Sequence, residues 1–230
     1  MDMDKKPLLM TIAVLGGTGK EGKGLAYRWA KAGYRVLIGS RSSEKAVTAA
    51  SDLMGRLDGS TSIVGMDNHE AAQQANIVVL TVPYAAHRET LESVKDVLKG
   101  KILVDVTAPL VPPKVTKVQM PPAGSAAQEA KEIVGEDVEV VAAFQSISHE
   151  HLLGDEDIDC DVLVTGSSKA ARAEALTLVE AAGLIGWDAG PIENSVVIEG
   201  LTSVLININK QYGSTHAGIK ITGASKKSNS

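Results

Sequence analysis

The chain has 230 residues, enough for one substantial hydrophobic core or for one large and one small lobe. Apolar residues make up 44% and charged residues 22%, which is typical of a globular protein. The net charge is −5 and no basic stripe interleaved with aromatic residues is present, so nothing supports a nucleic-acid-binding protein.

Apolar runs predict a parallel β-sheet that is covered on both faces. Most of the runs are apolar at consecutive positions, whereas a strand with one solvated face alternates between apolar and polar residues. The runs occupy residues 10–16, 34–40, 61–66, 76–82, 101–107, 138–144 and 160–166.

Helical patterns alternate with these strands at 22–33, 42–54, 85–100 and 124–135. Strand–helix alternation predicts an α/β fold, here a Rossmann-type doubly wound parallel sheet. The segment 109–124 carries five prolines and predicts a loop. We expect this loop at the point where the sheet reverses its winding direction, beside a ligand crevice.

The last third of the chain predicts a small C-terminal α/β extension. A helix at 167–183 and a short strand at 184–191 precede a long helix at 192–213. That helix is apolar around most of its circumference and must be buried. Since one chain of this size can hardly bury it alone, we expect a homodimer.

Three segments follow from this organisation. Residues 10–145 are predicted as a Rossmann domain, and residues 146–223 as a C-terminal lobe with the dimerisation helix. Residues 224–230 are small and polar and are predicted to be disordered. No signal peptide and no apolar run of ~18 residues is present, so we expect a cytoplasmic protein without a membrane partner.

The stretch LGGTGKEGKG at 15–24 predicts a dinucleotide-binding turn, because Gly17, Gly19 and Gly22 follow a strand and open a helix. We expect Gly17 to permit the tight turn, Gly19 to admit a pyrophosphate and Gly22 to let helix and strand pack closely. The first N–H groups of the helix attract phosphate, and the Thr18 hydroxyl adds a donor.

The end of the second strand predicts NADP rather than NAD. NAD sites place an acidic residue there to hold the ribose hydroxyls. Here Ser40 and Arg41 occupy this position, and Lys45 follows one helical turn later. These groups supply donors and positive charge to a 2′-phosphate.

With GSRSSEKA at 39–46, VVLTVP at 78–83, APLVP at 108–112 and DAGPIENS at 188–195, the chain resembles the NADPH-dependent F420 reductases, also called F420H2:NADP oxidoreductases. The resemblance extends from residue 10 to residue 223. It implies NADP and coenzyme F420 as the two substrates and direct hydride transfer between them.

The resemblance also implies site residues. The adenosine and 2′-phosphate side is expected at Thr18, Gly19, Lys20 and Glu21, together with Ser40, Arg41 and Lys45. The nicotinamide side is expected at Val82, Pro83 and Val111. The deazaflavin is expected near FQSIS at 144–148, which includes Ile147; this segment departs from the archaeal enzymes, which carry His and then Pro there.

Direct hydride transfer needs no side-chain nucleophile, so no catalytic residue is predicted. His87 follows Pro83 and could contact a cofactor or donate a proton; the alternative is a structural residue at the start of a helix. His149 and His151 are two residues apart, which does not place them on one helix face, and no metal site is predicted. Cys160 lies in a strand and is predicted to be a buried filler.

Two other functions remain open. One, kept because of the changed segment at 144–148, is an NADPH-dependent reductase of a small carbonyl or imine compound, which would need a proton donor such as Tyr84, His87 or His149. The other is a non-catalytic NADP-binding redox sensor. Turnover of F420 with NADPH would distinguish hydride transfer between NADP(H) and F420 from both alternatives.

Overall fold

The computed structural model of the protein describes residues 10–57, 62–154 and 156–225. The predicted disordered tail lies for the most part outside the described residues. Eight strands form one sheet in the order β3-β2-β1-β4-β5-β6-β7-β8. The strands are β1 Thr11–Leu15, β2 Arg35–Ser40, β3 Ile63–Asp67, β4 Ile77–Leu80, β5 Ile102–Asp105, β6 Glu139–Ala142, β7 Asp161–Gly166 and β8 Ile185–Pro191.

Eight α-helices lie among the described residues. They are α1 Lys20–Lys31, α2 Ser43–Met54, α3 Asn68–Gln74, α4 Tyr84–Val94, α5 Ala126–Val134, α6 His149–Leu152, α7 Lys169–Ala181 and α8 Ser195–Tyr212. The prediction of a doubly wound α/β sheet is confirmed. The short helices α3 and α6 were not predicted, because seven and four residues carry little periodic signal.

All strand pairs are parallel except β6 and β7, which are antiparallel. The sheet therefore continues through the predicted boundary at residues 145 and 146, and the division into two domains stays a prediction. Two buried clusters of mainly aliphatic side chains cover its two faces, as the continuous apolar runs require.

The winding direction reverses between β1 and β4, which are neighbours in the sheet but not in the sequence. The proline-rich loop follows β5, one strand away from that point. The expectation that the loop lies at the reversal is therefore wrong, although the loop does reach the crevice beside it. In such sheets ligands bind at the carboxyl ends of the strands beside the reversal.

Arg28 joins α1 to the C-terminal part of the chain. Its guanidinium donates hydrogen bonds of 2.9–3.0 Å to carbonyl oxygens that include those of Leu152 and Ala182. These carbonyls lie at the ends of α6 and α7, where the last backbone acceptors of a helix lack partners within the helix. The planar fork of arginine can satisfy several of them at once.

Phe144 is the one described non-glycine residue with a positive φ, 77°. It lies two residues after β6 and is 1% exposed. Its ring meets the Trp29 indole edge to face, with the ring centroids 5.8 Å apart. The indole N–H of Trp29 donates to the Leu178 carbonyl at 2.8 Å, which ties α1 to α7.

The helix α8 buries one face and exposes another. Ile198 and Leu205 are buried, whereas Val197 is 63% exposed and Val204 is 44% exposed. Among the described residues no helix is long and apolar enough to cross a membrane.

Candidate functional site

The turn between β1 and α1 begins at Gly16, whose φ of +73° is a conformation that favours glycine. The tight turn was predicted at Gly17 but lies at Gly16. Gly17 instead packs against the end of the sheet, where its N–H donates to the carbonyls of Val14 and Gly39 at 3.2 and 3.1 Å.

Gly19 is the N-cap of α1, and the first backbone N–H groups of the helix follow it. A Cβ built on Gly19 has only the Gly16 carbonyl oxygen within 4 Å, at 3.4 Å. The space in front of these N–H groups is thus left open. This is the arrangement in which a helix N-terminus binds phosphate.

A crevice of about 630 Å³ opens at this turn. It lies at the carboxyl ends of β1, β2 and β4, at the reversal point where ligands bind in such sheets. Among the predicted site residues, those that line it are Thr18, Gly19, Lys20, Glu21, Ser40, Arg41, Val82 and Pro83.

At one end of the crevice Ser40 ends β2 and Arg41 follows it, and Asn68 lies beside them at the start of α3. The Arg41 side chain is exposed, whereas Ser40 is 8% exposed and Asn68 is buried. Lys45 does not line the crevice. It lies in the first turn of α2, where its backbone N–H donates to the Ser42 hydroxyl.

Glu21 also lines the crevice, in the first turn of α1. Burial raises the pKa of its carboxyl from 4.5 to about 8. The group is therefore largely neutral at pH 7. A neutral Glu21 does not repel a phosphate that binds at the same helix terminus, whereas an ionised one would.

The opposite end of the crevice is mostly aliphatic. Val82, Pro83 and Tyr84 form one wall, and the proline-rich loop contributes Ala108, Leu110, Pro112 and Val115. Gln145 and Thr202 complete this end. Two of the residues predicted for the nicotinamide and deazaflavin side do not line this end: Val111 is 41% exposed in the loop, and Ile147 is buried in the core.

His87 does not line the crevice either. Its side chain is fully buried, with Nε2 2.7 Å from Asp105 Oδ2 and Nδ1 3.3 Å from Glu129 Oε1. Burial lowers the pKa of the imidazole, but the charge of Asp105 and the hydrogen bonds to Asp105 and Glu129 outweigh this and raise it. The sequence analysis considered a cofactor contact or a helix-start residue, and it missed both carboxylates.

The remaining candidates lie elsewhere. Cys160 is buried, and burial raises the pKa of its thiol. His151 and His216 stack edge to face with their ring centroids 4.9 Å apart. No group of three or more metal-ligating side chains comes together within the described ranges.

Gly16, Asn68, Thr81 and Thr202 line the crevice and were not predicted as site residues. Tyr84 was predicted only as a proton donor of the alternative reductase, and Gln145 only as part of the segment 144–148. One signal was available: Asn68, Thr81, Tyr84 and Gln145 follow the carboxyl ends of β3, β4 and β6, the sheet edge where α/β ligands bind. Thr202 lies in the middle of α8, and no sequence signal marks it.

Comparison with known proteins places the chain in a family. Residues 11–109 match the family described as NADP oxidoreductase, coenzyme F420-dependent. The F420-dependent NADP reductase of Methanocaldococcus jannaschii is 38% identical over 93% of this chain and 98% of its own length. The chain belongs to the F420-dependent NADP reductase family.

Two further relatives support the assignment to the F420-dependent NADP reductase family. The enzyme of that name from Methanothermobacter thermautotrophicus is 41% identical over 94% of this chain and 97% of its own length. A crystal structure from Arthrobacter sp. FB24, assigned to the same kind of reductase, aligns with a TM-score of 0.78 at 27% identity. It covers 93% of this chain and 99% of that one. The predicted family resemblance is therefore confirmed.

Proposed function

We propose that this protein transfers a hydride directly between NADP(H) and coenzyme F420. The observation that carries the proposal is the crevice, which joins a phosphate-binding turn and Arg41 at one end to an aliphatic chamber at the other. Relatives that match nearly the whole chain bear the name F420-dependent NADP reductase.

The residues present fit NADP. The open space before Gly19 and the N–H groups of α1 suit the pyrophosphate, and Thr18 adds a hydroxyl donor. Arg41 and Ser40 offer a charged fork and a hydroxyl to the 2′-phosphate. Lys45 takes no direct part in this assignment. Gly17 and Gly22 act through packing that shapes the turn.

The aliphatic end suits the two flat rings. Val82, Pro83 and the loop residues Leu110 and Val115 line this end of the crevice with apolar groups. Nicotinamide and deazaflavin supply the hydride chemistry themselves, which requires the reacting carbons at roughly 3–3.5 Å. The protein needs to bind, orient and desolvate the rings, and no catalytic side chain is assigned.

The exposed apolar face of α8 supports a homodimer as part of this proposal. Val197 and Val204 leave water if the face packs against a second copy of the chain. We also propose a cytoplasmic location, because a chain with a single cysteine forms no internal disulfide and suits a reducing compartment.

Label transfer tests the proposed reaction. NADPH that carries deuterium on one face of C4 should deliver it to C5 of F420, with no loss to water. Appearance of the label in solvent would contradict direct transfer.

Turnover of a small imine or ketone without any reaction of F420 would instead favour the carbonyl or imine reductase. Tight NADPH binding without oxidation by any acceptor would favour the redox sensor. Turnover of F420 excludes both alternatives as the main function.

A further inference from the structure

A buried chain of side chains lies directly behind one wall of the crevice. The Tyr84 hydroxyl donates to Glu129 Oε2 at 3.2 Å, and Glu129 Oε1 lies 3.3 Å from His87 Nδ1. His87 Nε2 lies 2.7 Å from Asp105 Oδ2. Four side chains from α4, α5 and β5 are thus linked in series, and only Tyr84 lines the crevice itself.

Asp105, at the other end of this series, contacts a second residue of the crevice through its backbone. The amide of Gln145, which lines the crevice, donates to the Asp105 carbonyl oxygen at 2.8 Å. Asp105 Oδ1 accepts the Thr107 N–H at 3.0 Å. Thr202 of α8 donates to the Gln145 carbonyl at 3.0 Å. Tyr84 is therefore linked through Glu129 and His87 to the side chain of Asp105, whereas Gln145 is held by the backbone carbonyl of the same residue.

The charges around His87 come from several elements. Asp105 of β5 and Glu129 of α5 face its two nitrogens, and Tyr84 and Arg88 of α4 contact Glu129. Glu199 of α8 accepts the N–H groups of Ala126 and Ala127, and burial, followed by the charge of Asp105, raises its pKa to about 8. Glu199 is therefore largely neutral at pH 7.

We infer that His87, Asp105 and Glu129 are positioning residues that fix Tyr84 on the wall of the aliphatic end of the crevice. The inference rests on the proposed function, because this wall then contacts the rings of the bound cofactors. Only the imidazolium form of His87 can donate to both carboxylates. A single proton therefore completes the connection from Asp105 through His87 and Glu129 to Tyr84.

A double-mutant cycle tests this coupling. Tyr84→Phe removes the anchoring hydroxyl but keeps the ring, and His87→Asn breaks the connection behind it. We expect each change to lower kcat/KM for F420 about tenfold, the loss of one hydrogen bond. The double variant should also lose about tenfold, because both changes interrupt one connection. A loss of about a hundredfold, the product of independent effects, would overturn the inference.

A second measurement needs no ligand. In protein labelled with ¹⁵N at histidine, we expect both ring nitrogens of His87 to carry protons at pH 7. Glu129→Gln, which keeps the side-chain shape if His87→Asn fails to fold, should lower the pH at which His87 loses a proton. A neutral His87 at pH 7, or no shift in Glu129→Gln, would overturn the inference.

Matched controls separate the two proposals. His69 is exposed and paired with Asp96 on the surface, so His69→Gln should leave kcat/KM unchanged. Absence of F420 turnover in the wild type would contradict the proposed function. Wild-type turnover with multiplicative losses in the cycle would contradict only the positioning role.

Discussion

Gly22 lies so close to Thr81 that a Cβ built on it would be 2.6 Å from the Thr81 hydroxyl oxygen. Because glycine has no Cβ, α1 can pack closely against the residue that follows β4. We expect Gly22→Ala to lower the free energy of unfolding by about 1–3 kcal/mol, the usual cost of overpacking. Denaturant unfolding measures it, and an unchanged midpoint would contradict the close packing.

Gly19 offers the matched contrast on the same helix terminus, because its Cβ position is open. We expect Gly19→Val to keep the circular dichroism spectrum of the wild type and to lose NADPH binding, since the branched side chain occupies the phosphate position. Titration of NADPH fluorescence measures the affinity. Wild-type affinity in this variant would show that no phosphate binds at the turn.

Arg41 lines the crevice, whereas Lys45 does not. We expect Arg41→Ala to weaken NADPH binding about tenfold to a hundredfold, the equivalent of ~1.5–3 kcal/mol for a charge-assisted hydrogen bond. NADH, which lacks the 2′-phosphate, should bind nearly as before. Lys45→Ala removes an equal charge and should have a much smaller effect. An equal loss for NADPH and NADH would contradict the 2′-phosphate assignment.

Glu21 predicts a pH dependence of both stability and binding. The unfolded chain ionises this carboxyl near 4.5 and the folded protein near 8, so the unfolded state binds fewer protons between those values. The free energy of unfolding should therefore fall as the pH rises through that window. Above about pH 8 the ionised carboxylate should also repel the phosphates and weaken NADPH binding.

Glu21→Gln removes the charge while it keeps the side-chain shape. Stability and NADPH affinity of this variant should both lose their Glu21-dependent change with pH. Calorimetry of NADPH binding at pH 8.5 in two buffers of different ionisation enthalpy should show proton uptake only in the wild type. Equal proton uptake in both proteins would contradict the assignment.

The hydrogen bonds of the Arg28 guanidinium predict that a substitution there affects stability alone. Arg28→Lys should lower the free energy of unfolding by about 2 kcal/mol, because an ammonium cannot reach all the carbonyls that the guanidinium satisfies. For a chain of this size the melting temperature should fall by about 4–8 °C. Arg35→Lys, at an exposed position, is the control and should change stability by at most about 0.5 kcal/mol. Equal melting temperatures in both variants would contradict the role of Arg28.

Val197 tests the proposed dimer. Val197→Glu places a charge on the exposed apolar face of α8, and it should convert a dimer into a monomer without loss of secondary structure. Analytical ultracentrifugation measures the change. A monomeric wild type would refute the dimer outright.

The strands could be predicted because both faces of the sheet are covered, so consecutive residues in most strands are apolar. The phosphate turn could be predicted because its glycines lie between a strand and a helix. The sequence could not show which glycine adopts the positive φ, since Gly16 and Gly17 are adjacent and either could adopt it. The network around His87 left no sequence signal, because Asp105 and Glu129 come from distant elements.

The backbone at Phe144 is subject to two opposed demands. The left-handed conformation costs a non-glycine residue ~1–2 kcal/mol, and a glycine would remove that cost. A glycine would also delete the ring that packs on Trp29 and fills the core. The residue that follows, Gln145, faces the crevice. At position 144 the packing of the aromatic ring therefore outweighs the cost of the left-handed backbone conformation. The packed ring also fixes the direction in which the chain leaves the sheet.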